Sequence, residues 1–177
     1  MIAGPTAVGK GTVVRHILAQ YPEIKVSVSA TTRPPRPGEV DGVDYFFVSE
    51  TDFDAMISAG ELLEHATVHG RYRYGTPKGP IVEALSREQL VILEIDLQGA
   101  RQVKRAMPEA LAIFIAPPSW EELVRRLSTR GTETKEQQEQ RLETARVELA
   151  AQDEFDAVLI NDDVAKCAHE VVELMKA

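Results

Sequence analysis

The chain contains one cysteine, no long apolar run and fewer basic than acidic side chains. The single cysteine, Cys167, rules out a disulfide framework within the chain and favours a reducing cytoplasm. No apolar run approaches the roughly 18 residues that a membrane-spanning helix needs, so we expect no such helix. The chain does not begin with a charged segment that is followed by an apolar one, so we expect no secretory signal. The 20 basic and 28 acidic side chains give a net charge of −8, which disfavours diffuse binding to long nucleic acid. If the protein binds phosphate groups, it must therefore bind them with local clusters of residues.

The distribution of apolar residues predicts one domain in which helices alternate with buried strands. The 177 residues are 44% hydrophobic and 27% charged, and a chain of this length buries a core without disulfides or a structural metal. Apolar spacing and capping residues predict helices over 10–20, 50–59, 77–87, 98–107, 120–130, 136–151 and 164–175. Strands are predicted over 25–29, 44–48, 90–96, 110–116 and 157–160, with one or two exposed-edge strands within 61–76. The first strand is either unusually short, or residues upstream of Met1 belong to the natural protein. This alternation predicts an α/β fold with a parallel doubly wound sheet.

A glycine-rich loop with a lysine lies between the first strand and the first helix. Its residues are Gly4, Pro5, Thr6, Ala7, Val8, Gly9, Lys10, Gly11 and Thr12. The spacing G-x-x-x-x-G-K is typical of a phosphate-binding loop, in which backbone N–H groups and the helix N-terminus surround an oxyanion. Lys10 would bridge the outer phosphates of a nucleoside triphosphate. The position after the lysine usually carries a Ser or Thr hydroxyl that meets magnesium, and here it is Gly11. The loop predicts binding of nucleotide phosphates and leaves the reaction open.

Two arginines and two acids outside this loop are further candidates. The proline-rich loop 33–42 carries Arg33 and Arg36, whose guanidinium groups can hold a phosphate bidentately. Glu94 and Asp96 lie on one face at the end of the strand 90–96, where doubly wound folds bind ligands. The alternative for these acids is a helix cap or a solvated pair.

Four ordered motifs together resemble guanylate kinase. They are the Gly-Lys loop, the segment 29–45, the segment 92–99 and the segment 130–133. The resemblance runs from residue 4 to about residue 175. It implies a P-loop kinase of nucleoside monophosphates with a parallel sheet core (1–28, 77–129 and 143–177), an inserted GMP-binding lobe (about 29–76) and a small lid (about 130–142).

The resemblance also implies which side chains bind GMP. The positions that match the family's contacts to the GMP phosphate are Ser29, Arg33, Arg36, Tyr45 and Tyr74. The positions that match its contacts to the guanine edge are Glu64, Thr76 and Asp96. The stretch before Tyr74 is about one residue longer than in the family, so Tyr72 is an alternative to Tyr74.

For the ATP side, the resemblance implies binding by residues 4–12 and by Asn161, for which a plain helix-entry role is the alternative. The implied catalytic residues are Lys10, Arg33, Arg130 and Arg141. Mg²⁺ is expected to accompany ATP, with Glu94 assisting through water, and no protein ligand of the metal is assigned. Three further arginines stand at helical spacing from acids, so we expect them to form ordinary helix-surface pairs; they are Arg125, Arg126 and Arg146.

These features predict an ATP:GMP phosphotransferase that accepts GMP and dGMP. Guanine presents adjacent N1–H and N2–H donors, which one carboxylate such as Glu64 can accept as a pair. Adenine would leave that carboxylate unpaired. One alternative is a related P-loop kinase for a sugar phosphate or another nucleotide, which would have no use for Glu64. The other is a guanylate-kinase-like module that binds phosphopeptides, although such modules have degraded phosphate loops.

Several other residues are expected to be structural. His65 and His69 lie on a strand-like stretch without a third ligand nearby, so no zinc site is expected. Cys167 shares a helical face with apolar residues and should be a core thiol. Trp120 is expected to pack on the sheet. The sequence does not determine the oligomeric state.

Overall fold

The computed structural model describes residues 1–68, 71–129 and 135–177. Arg130 and the segment 131–134 of the predicted lid lie outside the described residues, as do His69 and Gly70.

The central sheet is parallel, and the first strand of the chain lies in its middle. The strands are β1 (Ile2–Ala3), β2 (Lys25–Val26), β7 (Val91–Ile92), β8 (Ile113–Ala116) and β9 (Ala157–Ile160). β1 pairs with β8, β8 with β9, and β2 with β7, all in parallel. The Ile2 N–H donates to Leu93 O at 2.8 Å and the Ile95 N–H to Ile2 O at 3.1 Å, which joins β7 to β1. The order is therefore β2–β7–β1–β8–β9, and the carboxyl end of β1 lies at the point where the order reverses. Ligands bind at such points in doubly wound folds.

Alternate residues of these strands enter two hydrophobic clusters, one on each face of the sheet. Ile2 and Ile92 belong to the cluster that contains residues of the first and last helices, whereas Ala3 and Leu93 belong to the other. This alternation follows from the period of two along a strand, and it explains why the core strands are apolar on both faces. Cys167 is fully buried in the first cluster and Trp120 packs against it, which confirms both predictions.

A second, mixed sheet is built from residues between Ala30 and Pro77. Its strands are β3 (Ala30–Thr31), β4 (Phe46–Phe47), β5 (Leu62–Val68) and β6 (Tyr72–Pro77), in the order β4–β3–β6–β5. β3 pairs in parallel with β4, and β6 is antiparallel to both β3 and β5. β5 is an edge strand, as predicted, but β6 lies inside the sheet because β3 covers its other side.

Helices cover the sheets with bounds close to those predicted. They are α1 (Lys10–Gln20), α2 (Glu50–Ser58), α3 (Lys78–Ser86), α4 (Leu97–Ala106), α5 (Trp120–Thr129), α6 (Lys135–Ala150) and α7 (Val164–Lys176), with a short 3₁₀ helix at Gln152–Glu154. Ser49 and Asp52 form the predicted capping box of α2, Ser119 caps α5, and Asp163 caps α7. In the described parts of the chain, no helix is long and apolar enough to cross a membrane.

The strand predictions were too long in four places, one of them 110–116, where the strand is Ile113–Ala116. The stretch predicted as a strand over 25–29 contributes only β2 (Lys25–Val26), and β3 (Ala30–Thr31) of the second sheet begins after it. The aromatic stretch 44–48 contributes only Phe46–Phe47, and the apolar run 90–96 only Val91–Ile92. Apolar composition reports burial, but only the pairing of neighbouring backbones decides how many residues form a strand.

Candidate active site

The glycine-rich loop after β1 adopts a backbone that other sequences would not tolerate. Gly9 has a φ of +100°, and it accepts the N–H groups of Thr12 and Val13 at 3.0 Å, which starts α1. A Cβ atom on Gly4 would lie 2.2 Å from Ile115 O on β8, so only glycine lets the loop pass this close to the sheet. The Lys10 ammonium group donates to the carbonyls of Gly4 and Pro5 in the same loop. The loop is therefore closed on itself around its lysine.

One carbonyl of the loop is held from behind by two side chains. Val8 O accepts from Asn161 Nδ2 at 2.8 Å and from Arg126 Nη1 at 3.1 Å, and Asn161 is only 2% exposed. Because C=O and N–H point in opposite directions across a trans peptide, anchoring this carbonyl turns the Gly9 N–H the other way, toward the inside of the loop.

Arg126 also pairs with Glu122, as does Arg125, so the predicted helix-surface pairs are confirmed for both arginines. The prediction missed the second role of Arg126 at the loop. Arg146 was predicted to pair with an acid on the helix surface, but its guanidinium lies 4.5 Å from the centre of the Trp120 ring instead.

Helix α6 reaches the loop at Thr6. Arg141 Nη1 lies 3.5 Å from Thr6 Oγ1, and the Glu148 carboxylate lies near the Thr6 backbone N–H. Burial raises the pKa of Glu148, while the nearby Lys10 ammonium group opposes this shift. Sequence analysis did not single out Glu148. The signal that could have found it is its position two turns after Arg141, on the same face of the helix.

A cavity of about 540 Å³ lies between the carboxyl end of the central sheet and the second sheet. It is lined by Lys10 and by six of the other residues singled out in the sequence, namely Ser29, Tyr45, Glu64, Tyr74, Glu94 and Asp96. Tyr72 stacks against Arg71 at 4.8 Å instead. The structure thus brings Tyr74, rather than Tyr72, to the cavity. The fold places the lysine of the glycine-rich loop and five of the eight candidate GMP residues around one space, whereas Arg33, Arg36 and Thr76 are not among its lining residues.

Arg33 is held rigidly beside this cavity. Its guanidinium donates to Tyr74 Oη at 3.2 Å and to Glu39 Oε1 at 2.8 Å, and it lies 5.4 Å from the Tyr45 ring centre. The Arg33 guanidinium in turn lowers the pKa of Glu39. Arg33 is 8% exposed, whereas Arg36 is exposed and donates its backbone N–H to Glu39 Oε2. The loop 33–42 therefore presents one fixed and one exposed guanidinium.

Glu64 is a buried carboxylate at the far end of the cavity. It is 8% exposed, and Thr76, at 1%, donates its hydroxyl hydrogen to Glu64 Oε1 at 2.6 Å. Burial raises the pKa of Glu64 from 4.5, the Thr76 hydrogen bond opposes this, and the charge of Asp96 adds to it. A Cβ on Gly99 would lie 3.1 Å from Glu64 Oε2 and 3.2 Å from Asp96 Oδ1, so α4 closely approaches both carboxylates.

The acids that end the apolar run 90–96 serve two elements. Asp96 accepts the Gly99 N–H at 2.7 Å and so caps α4, which is the alternative that the sequence left open. Asp96 also lines the cavity. A Cβ on Gly11 would lie 3.5 Å from Glu94 Oε1, so Glu94 stands beside the position where the loop lacks a hydroxyl. Among the described residues, no group of three or more His, Cys, Asp or Glu side chains could hold a metal ion.

Comparisons with known proteins identify the family. The guanylate kinase family model matches residues 1–177. Guanylate kinase of Leifsonia xyli subsp. xyli is 65% identical over 175 residues, covering 99% of this chain and 69% of that protein. Guanylate kinase of Cutibacterium acnes is 60% identical, covering 99% of this chain and 88% of that protein. The crystal structure of guanylate kinase from Anaplasma phagocytophilum superimposes with a TM-score of 0.76 at 33% identity, over 99% of this chain and 84% of that one. The chain, with its glycine-rich loop, parallel sheet and separate mixed sheet, therefore belongs to the guanylate kinase family.

Proposed function

We propose a division of roles among the residues of this chain for its guanylate kinase reaction, in which the γ-phosphoryl group of ATP passes to GMP and gives ADP and GDP. The observation that carries the proposal is the single cavity shared by Lys10 and by Ser29, Tyr45, Glu64 and Tyr74. A direct transfer needs both nucleotides in one space from which water can be excluded.

The ATP phosphates are bound by the loop 4–12. Its backbone N–H groups and the start of α1 supply donors and partial positive charge. Lys10 exchanges its contacts with the Gly4 and Pro5 carbonyls for contacts with the outer phosphates. Arg141, which already reaches Thr6, stabilises the charge that spreads over the transferred group, together with Arg130. Arg130 lies outside the described residues, so its role rests on the motif alone. Asn161 orients the loop through Val8 O, and an adenine contact beside it remains a prediction.

The GMP phosphate is bound by the second sheet and the loop 33–42. Arg33 and Tyr74 form one fixed pair of donors, and Tyr45 packs against both through the Tyr74 ring at 5.8 Å and the Arg33 guanidinium. Ser29 adds a hydroxyl at the cavity wall, and Arg36 closes onto the phosphate from its exposed position. Arg33 is held by neutral and charged partners before GMP arrives, so little entropy is lost when it binds the phosphate.

The guanine edge is bound by Glu64, with Thr76 and Asp96 beside it. The Thr76 hydroxyl occupies Glu64 Oε1 from one side, and the carboxylate keeps lone pairs for the N1–H and N2–H donors of guanine. Binding adenine would leave this buried carboxylate without those donors, which costs about 1–3 kcal/mol or more for a charged group. None of these contacts involves the 2′-hydroxyl group, so dGMP is also a substrate.

Mg²⁺ accompanies ATP in this proposal. The donors beside the glycine-rich loop are the carboxylates of Glu94 and Asp96 and the Thr12 hydroxyl, and hard oxygen donors of this kind suit Mg²⁺. Mg²⁺ commonly keeps several waters and takes one or two carboxylates besides phosphate oxygens, so an incomplete set of protein ligands fits it. The ion would supply charge neutralisation between the phosphates. These three side chains would orient its water shell.

The division of the chain follows from these roles. The core (1–28, 77–129 and 143–177) binds ATP, the lobe 29–76 binds GMP, and the lid 130–142 closes over both. We place the reaction in the cytoplasm, in keeping with the thiol of Cys167, which is buried and unpaired with any other cysteine.

Measuring ADP release with ATP and each nucleoside monophosphate in turn tests the proposal. We expect rapid turnover with GMP and dGMP and little with AMP, UMP or CMP. Glu64→Gln should raise the KM for GMP far more than the KM for ATP. Comparable rates with AMP, or an equal rise of both KM values, would contradict the guanine role of Glu64.

A further inference from the structure

The free edge of strand β5 is occupied by a glutamine side chain from helix α4. His65 N–H donates to Gln102 Oε1 at 3.1 Å, and Gln102 Nε2 donates to His65 O at 2.9 Å. On its other side β5 pairs with β6, so one primary amide satisfies the N–H and the C=O that the edge of the sheet would otherwise leave to water. Two antiparallel hydrogen bonds fix both the distance and the orientation of the joined groups.

This contact lies directly beside the buried carboxylate that faces the cavity. His65 follows Glu64 in β5, so a shift of the His65 backbone moves Glu64 as well. Gly99, which closely approaches the Glu64 carboxylate, precedes Gln102 by three residues and lies on the same side of α4. α4 thus meets β5 at two points. The Glu64 side chain lies close to Gly99, and the Gln102 side chain bonds to the His65 backbone.

Helix α4 is itself fixed to the central sheet. Ala100 and Val103 are buried in the hydrophobic cluster on one face of that sheet, and Asp96 caps the first turn of the helix. A residue that ties β5 to α4 therefore sets where Glu64, from the second sheet, stands relative to Asp96, from the central sheet.

We propose that Gln102 is a positioning residue for guanine recognition, which holds β5 so that the Glu64 carboxylate meets the N1–H and N2–H donors of guanine together. This inference rests on the guanine role of Glu64 proposed above. A carboxylate that accepts two neighbouring donors needs a defined approach, because a small displacement lengthens one hydrogen bond as it shortens the other.

Gln102→Met is the variant that tests the proposal. Methionine has a similar length and a good helix propensity, but it offers no strong donor or acceptor to His65. We expect the KM for GMP to rise about 3- to 10-fold, as for the loss of one or two ordinary hydrogen bonds. The KM for ATP and kcat at saturating GMP should change little. A rise of both KM values together, or no rise for GMP, overturns the proposal.

A matched control is Gln89→Met. Gln89 also donates its side-chain amide to a backbone carbonyl, that of Glu23, but outside the cavity. Its KM values should equal those of the parent protein. Gln102→Leu serves as a second variant if Gln102→Met does not fold, as judged by circular dichroism and thermal unfolding.

Base discrimination provides a readout that a merely structural role would not change. Inosine monophosphate (IMP) keeps N1–H but lacks the 2-amino group, so the preference for GMP over IMP in kcat/KM measures the paired contact. This preference should shrink in Gln102→Met and stay unchanged in Gln89→Met. An unchanged preference in Gln102→Met overturns the proposal.

Combining variants separates this inference from the function on which it rests. In a Glu64→Gln background, Gln102→Met should raise the KM for GMP little further, because the group that it positions has already been changed. Fully independent effects overturn the role of Gln102 and leave that of Glu64 standing. If Glu64→Gln alone fails to affect GMP selectively, the guanine role of Glu64 is overturned, and the role of Gln102 with it.

Discussion

Thr76 donates its hydroxyl hydrogen to the Glu64 carboxylate across 2.6 Å, between neighbouring strands of the second sheet. The bond fixes one oxygen of a carboxylate that burial would otherwise drive toward its neutral form. Glu64 lines the cavity, and the remaining acceptor positions of its carboxylate are those that we propose for guanine. In the role proposed for Glu64, guanine recognition depends on a buried carboxylate whose pKa and position are both set by neighbouring strands and helices.

The raised pKa of Glu64 makes GMP binding sensitive to acid. Only the ionised carboxylate accepts both guanine donors, so the KM for GMP should rise as the pH falls toward the Glu64 pKa, which lies above 4.5. The parent protein and Glu64→Gln should be compared over this range. The phosphate of GMP also takes up a proton near pH 6, roughly as phosphorylated side chains do. That effect is common to both proteins, so the difference between them reports Glu64. Identical profiles would contradict the prediction.

The same buried carboxylate should cost the protein stability at neutral pH. Its pKa is higher in the folded than in the unfolded chain, so the folded state binds the extra proton. Ionisation of Glu64 therefore opposes folding more as the pH rises through this window, and the effect vanishes below about the unfolded value of 4.5. Glu64→Gln should raise the Tm at pH 7.5 and lose this advantage at pH 4. Thermal unfolding at both pH values measures it, and a lower Tm at pH 7.5 would contradict it.

Lys10→Ala should reduce kcat on the order of 100-fold or more, because contacts to developing charge strengthen in the transition state. The fold should survive, since Lys10 is only half-buried at the start of α1. Lys78→Ala is a matched control, because Lys78 is likewise the first residue of a helix and is exposed. It should retain the parent rate. Near-normal turnover of folded Lys10→Ala would mean that this loop is not the phosphate site.

Gly11→Ser should change the magnesium requirement only modestly, by about 1 kcal/mol or less if a hydroxyl replaces one water. The structure has room for it, since a Cβ there would lie 3.5 Å from Glu94 Oε1 and 3.7 Å from Arg15 Nη1. Thr12→Ala should have a larger effect than Gly11→Ser, because the Thr12 hydroxyl stands at the helix N-terminus. In the structure this hydroxyl accepts a hydrogen bond from Arg15 Nη2 at 3.2 Å. Magnesium titrations at saturating GMP measure both effects. A gain of several orders of magnitude for Gly11→Ser would show that the natural loop is deficient.

Asn161→Ala should weaken the glycine-rich loop. It leaves Val8 O with Arg126 as its partner, and an imperfectly satisfied buried group costs about 1–3 kcal/mol. The KM for ATP should rise and the KM for GMP should stay. Asp162→Asn, at the exposed neighbouring position, is the control and should affect neither. Equal rises for both substrates would indicate general damage to the fold.

Local sequence determined the elements whose geometry depends on nearby residues. The glycine-rich loop, the caps at Ser49, Ser119 and Asp163, and most helix bounds were predicted correctly, because φ restrictions, capping and apolar period act over a few residues. The resemblance of four motifs supplied the family. It also pointed to the cavity-lining residues, although their roles stay proposals.

Tertiary structure alone decided which distant residues meet. The sequence carries no signal that Gln102 bonds to His65, that Asn161 and Arg126 share the Val8 carbonyl, or that Arg146 covers Trp120. Strand lengths were likewise undetermined, because a ladder extends only where a neighbouring backbone offers its donors and acceptors. Such contacts depend on how helices and sheets pack in space, and hydrogen bonds between residues far apart in the chain form only once that packing exists.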